Sequence, residues 1–162
     1  MAVLTCADIQ LDDLQALLTK FNLEIHTVAD QQDIPGSWFG DSEAGIIKNR
    51  LYIRMDTPVH SALHESCHYI CMDDQRRQQL DTNAAGDYDE ENGVCFLQIL
   101  LADYIPGFNR QRMLSDMDEW GYTFRLGSSR AWFEQDAEDA QAWLIKHKLI
   151  DIHNQPLWAL RY

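Results

Sequence analysis

Residues 58–72 read Pro-Val-His-Ser-Ala-Leu-His-Glu-Ser-Cys-His-Tyr-Ile-Cys-Met, and this stretch constrains the fold more than any other. Asp56-Thr57-Pro58 supplies a cap candidate followed by proline at the first helical position, so a helix is expected from there to about Met72. His64 and His68 stand one turn apart within it. At ~100° per residue their side chains lie ~40° apart around the axis, so both imidazoles can reach one ion. Glu65 is ~100° round from His64, close enough to touch a metal-bound water without being a ligand itself. Ala62, Leu63, Cys67, Tyr69, Ile70 and Cys71 surround these groups with apolar surface, where two unpaired imidazoles and a carboxylate would be costly. The His-Glu-x-x-His segment is therefore expected to bind a metal. Two imidazoles, a carboxylate and an open position favour zinc.

A catalytic zinc needs a third protein ligand, and three positions compete. Asp74 stands six residues after His68, but Cys71 occupies the place where a glycine would have to turn the chain back. Glu90 and Glu91 open the next apolar helix. Glu90 is favoured, because it falls on the apolar, inward line of Val94, Leu97, Leu101 and Tyr104, with Gly93 leaving room for the approaching metal helix. Glu91 falls on the smaller and more polar line of Cys95, Gln98 and Ala102 and is kept as the alternative, followed by Asp74. His60, one turn before His64, is expected to be structural, and Cys67, Cys71 and Cys95 are read as buried thiols. Tyr88, Tyr104, Tyr122 and Arg125 are candidates for the donor to a developing oxyanion, and nothing in the sequence separates them.

Around this segment the pattern predicts a helix over residues 8–20, a strand over 23–28 and a hairpin of 44–47 with 51–55. Further helices are expected from Asp87 to about Tyr104, over 108–120 ended by Gly121, and over 129–148, with a small terminal hairpin over 149–160. Helices dominate and the few strands precede the central helix, which makes the fold class α+β, with the strands packed beside the metal helix. The 162 residues, 46% of them apolar, suit a single domain over 1–162, with the metal core at about 46–104 and a helical C-terminal part.

A net charge of −13 argues against nucleic acid and against an anionic membrane surface as partners. Residues 57–109 carry nine acids and only two bases, Arg76 and Arg77, so the excess gathers where the site is expected. A cleft of that sign favours basic peptides or proteins. No apolar run reaches the length of a signal peptide or a membrane span, and four irregularly placed cysteines make no disulfide framework. A cytoplasmic protein is expected.

The helix bearing His64, Glu65 and His68, its start after a strand hairpin, and a glutamate heading the following helix resemble the zincin metallopeptidases. The resemblance is to the small glutamate-type branch that includes the ImmA/IrrE-like proteases, and it covers about residues 46–104. It departs from that branch in Ser66-Cys67 within the motif and in lacking a helix-turn-helix region. The resemblance implies a zincin-like fold and hydrolysis of a peptide bond. Zinc on His64, His68 and Glu90 would activate a water whose proton Glu65 takes. The alternative is a zinc-binding scaffold of the same shape that no longer cuts and acts as a protein-interaction module.

Overall fold

The computed structural model describes residues 2–162. Its described residues form seven α-helices and a three-stranded sheet, the expected α+β class. After a short 3-10 turn at Cys6–Asp8 come α1 (Leu11–Thr19), β1 (Glu24–Thr27), β2 (Gly45–Ile47) and β3 (Arg50–Ile53). The metal-motif helix α2 (Val59–Cys71) follows, then α3 (Asp74–Gln78), α4 (Tyr88–Leu101), α5 (Arg110–Trp120), α6 (Ser129–Gln135) and α7 (Glu138–Lys146). The sheet order is β1-β3-β2, with β1 parallel to β3 and β2 antiparallel to it.

The expected hairpin is β2 and β3, and its buried face carries Ile46, Leu51 and Ile53 toward the core that α2 completes. The outer edge of β2 is not free. Ile46 donates its N–H to the Gly36 carbonyl (3.2 Å) and accepts from Thr82 N–H (2.9 Å), while Lys48 N–H reaches Leu80 O (2.8 Å). The loop after α3 is thereby laid along the sheet and forms one wall of the cleft described below.

The start of α2 differs from expectation. Thr57 does not cap it; its Oγ1 accepts from Arg54 N–H at 2.9 Å. Val59 N–H donates instead to Leu4 O (3.0 Å), so the N-terminal segment, held there by a bridge between Thr5 and Pro58, satisfies the first orphan donor of the helix. The other end is closed by Arg77, buried beneath it, which donates to the Tyr69 carbonyl (2.9 Å), to that of Ile70 (3.3 Å) and to that of Met72. A cation at a helix C-terminus also complements the macrodipole. Both ends of α2 are thus fixed by residues outside the helix itself.

Two further expectations are corrected. Residues 129–148 are not one helix but α6 and α7, which part at Asp136 and Ala137, where Asp136 pairs with Arg125. Glu138 and Asp139 then occupy the first turn of α7, where negative charge is favoured. The terminal hairpin reduces to a single bridge between Ile150 and Pro156, closed by Asp151 accepting from His153 N–H (2.8 Å) and Gln155 N–H (2.9 Å). The tail then runs back over the core, Trp158 against Phe21, until Arg161 N–H bonds Ile70 O at 2.9 Å. Among the described residues no helix is long and apolar enough to cross a membrane.

Candidate metal centre

α2 packs across α4, and the polar groups of both helices meet in the cleft between them. His64 and His68 face each other through Nε2, 3.1 Å apart, and Glu91 Oε2 lies 3.5 Å from His68 Nε2. Ligand atoms of His64, His68 and Glu91 all fall within 4.8 Å of one another, so this group can hold a metal ion. Nitrogens ~2.0 Å from a tetrahedral ion stand ~3.3 Å apart, close to the separation found.

Two of the three residues are oriented from behind. His64 Nδ1 lies 2.6 Å from Gln98 Oε1, so that nitrogen donates and Nε2 presents its lone pair. Gln98 is fully buried on α4, its amide nitrogen directed at Met113 Sδ (3.6 Å). Glu91 is held by Gly86 N–H on Oε1 (2.9 Å), which aims the other oxygen at His68. His68 Nδ1 is buried without a protein partner, so its ring is oriented through Nε2 alone. Burial pushes the pKa of both imidazoles down, that of His68 well below its ordinary value, and leaves them as the neutral rings that metals require. Removing the Gln98 acceptor, as in Gln98→Leu, should weaken metal binding ~10–100-fold, measured by competition with a chromogenic chelator.

The group that could hold a metal contains the alternative, Glu91, and not the favoured Glu90. Glu90 is buried (2% exposed) and its carboxylate is occupied by Arg76 Nη1 (2.7 Å), Arg76 Nη2 (2.9 Å) and Arg161 Nη1 (3.0 Å). A β-carbon on Gly86 would fall 1.9 Å from Glu90 Oε2, so only glycine lets the loop pass this ion cluster. Gly93 serves another contact than the one expected, since a β-carbon there would strike Trp143 of α7 at 2.7 Å. Asp74 stands outside the ligand group, in the first turn of α3 and paired with Arg77.

Glu65 is buried beside the pair and lines a hollow of about 280 Å³ with His64, His68, Glu91, Trp38 and Phe39. Burial, with Glu43 and Glu91 adding, pushes its carboxyl up to about 8. A second hollow, about 350 Å³, shares His64 and Phe39 with the first and is lined also by Glu43, Cys95, Trp120 and Tyr122. Of the four proposed oxyanion donors only Tyr122 is here, its ring edge-on to His64 (centroids 5.7 Å) and its hydroxyl 3.2 Å from His60 Nδ1. Tyr88 and Arg125 line a separate depression, and Tyr104 reaches Gln155. No thiol joins the ligand group, and burial raises the pKa of Cys67, Cys71 and Cys95.

His60 is nearly fully buried between Trp120 and Tyr122, and its Nε2 has no protein partner. Desolvation, with His64 adding, pushes its pKa down to about 3. The folded state therefore binds fewer protons than the unfolded chain below pH ~6.5. Its contribution is complete above that pH and is lost on acidification at about 1.4 kcal/mol per pH unit. Between pH 6.5 and 5 the stability advantage of the wild type over His60→Gln should shrink by about 2 kcal/mol in urea unfolding. An unchanged difference would show that His60 already carries a proton in the fold.

Sequence reasoning overlooks Glu43, which no spacing ties to α2, and the exposed pair Trp38 and Phe39 at the cleft mouth. It places Gln98 only on a polar line of α4, without a role. No family model, curated protein or solved structure matches the chain.

Proposed function

We propose that the protein is a zinc-dependent hydrolase acting on peptide bonds, with the likeness to glutamate-type zincins supporting that substrate class. The observation that carries the reading is the facing pair His64 Nε2 and His68 Nε2 with Glu91 on the adjacent helix and Glu65 beside them in an open cleft. This donor set of two neutral imidazoles and one carboxylate suits zinc and leaves a position for water. When bound, the ion supplies Lewis acidity, lowering the pKa of a water and polarising a carbonyl.

The chain's own residues do the rest. Glu65, on the cleft side of α2, would be held ionised by a divalent charge beside it, and so accepts the proton of the attacking water and returns it to the leaving amine. Tyr122, edge-on to His64 in the second hollow, donates its hydroxyl to the carbonyl oxygen as charge develops. Trp38 and Phe39, exposed at the cleft, offer apolar surface that a bound chain would cover.

The test is hydrolysis of a peptide library by purified protein, abolished by a chelator and restored by about one equivalent of zinc per chain. Stoichiometric zinc with no cleavage of any peptide would overturn the reading.

A further inference from the structure

We infer that the hollow between Phe39, Glu43, Trp120 and Tyr122 is a subsite for a lysine or arginine side chain next to the bond that is cut. This rests on the peptide-hydrolase reading and names the residue class that it selects. The hollow opens directly beside His64, so a side chain lying in it belongs to a residue at the reacting centre. Its walls are aromatic, with Phe39 74% exposed and Trp120 41% exposed. Large aromatic faces left in water at one place are suited to the methylene stem of a long cationic side chain and to its charge.

Charge selects among long side chains. No lysine or arginine lines either hollow. Glu43 is the one carboxylate among the residues lining this second hollow. Its Oε1 accepts from Trp120 Nε1 (2.7 Å) and its Oε2 from Ser61 Oγ (3.2 Å). Both donors are neutral, and among the described residues no basic side chain pairs with it. A norleucine or leucine side chain would cover this carboxylate without compensating it, and a glutamate would repel it. A lysine or arginine head does neither. The two hydrogen bonds also fix where the carboxylate stands, pinning it to the wall that the stem would contact.

The experiment uses the zinc-loaded Glu65→Gln full chain, which can bind without cutting, and blocked alanine-based hexapeptides with Lys, Arg, norleucine or Glu at one central position. Calorimetry should show Lys and Arg peptides bound ~10-fold tighter than norleucine, and Glu weakest. Adding Glu43→Gln, whose amide oxygen still accepts from Trp120, should bring the Lys to norleucine ratio close to one. Raising salt from about 20 mM to about 500 mM should narrow the ratio where Glu43 is kept and leave it unchanged in the Glu43→Gln protein. Norleucine bound as tightly as Lys, or a Lys preference that survives Glu43→Gln, would overturn the subsite. So would failure to bind any of the peptides. The outcomes separate the two readings, because a Glu43-dependent preference without hydrolysis by wild type keeps the subsite and removes the hydrolase, while hydrolysis without preference does the reverse.

Discussion

Glu91→Gln and Glu90→Gln should part company, one losing the metal and the other losing stability. The two carboxylates are adjacent in sequence and both reach the loop at Gly86, but they meet different partners. Glu91 Oε2 faces His68, and its other oxygen takes only a backbone N–H, a role the amide oxygen of glutamine can keep. Metal affinity should therefore fall by more than the ~10–100-fold seen when an indirect partner is lost. Stability of the metal-free protein should change by less than about 1 kcal/mol, as for a half-exposed side chain with one replaceable hydrogen bond.

Glu90→Gln leaves two guanidinium groups without their anion. Breaking a fully buried pair costs about 3–5 kcal/mol, and about 2–3 kcal/mol is expected here. The reduction reflects Arg76, whose side chain remains 37% exposed and can be solvated. The loss should be read by urea unfolding in chelator, with zinc affinity measured on the folded fraction. A Glu90→Gln protein that keeps its stability and loses zinc would restore Glu90 as the ligand.

That pair also shows what the sequence can and cannot convey. The stripe Glu91, Cys95, Gln98, Ala102 is visible as a small and polar line on an otherwise apolar helix. In the structure it is the face turned to the site, with Glu91 at the histidines, Cys95 in the second hollow and Gln98 on His64. Preference for Glu90 depends on the most apolar stripe facing the metal helix. In the structure the smaller and more polar stripe faces the histidines, while the apolar stripe serves the core. What neutralises Glu90 is Arg161, 71 positions away, together with Arg76, and such a pairing leaves no periodic trace.

The same division holds for the fold. α2, the hairpin and α4 follow from local patterning and lie close to where the sequence predicts them. The cap of α2 by Leu4, the closing of its far end by Arg77 and the split of α6 from α7 at Asp136 are tertiary, set by partners that only the folded chain brings near. Glu43 belongs with these. Its hydrogen bond to Trp120 spans 77 positions, and its neighbours in sequence are turn residues without pattern.

Glu65→Gln should lower peptide hydrolysis ~10²–10⁴-fold while zinc remains bound at unchanged stoichiometry. Glutamine has the shape of glutamate and can accept a hydrogen bond from water, so occupancy of the cleft is preserved. It cannot take the proton that the attacking water must lose, nor return it to the leaving amine, and both steps would fall on solvent. Glu65 stands outside the His64, His68 and Glu91 group, so its substitution leaves the donor set intact. This separates it from Glu91→Gln, which should lose activity only because it loses the ion, and should regain activity in excess zinc. The Glu65 variant should not respond to added zinc at all. A scaffold that binds zinc without cutting would give neither loss, since it has no activity to lose and its partner binding would survive Glu65→Gln. A rate that falls less than ~10-fold would place the proton with another group, for which His60 and Tyr122, hydrogen-bonded to each other beside His64, are the candidates.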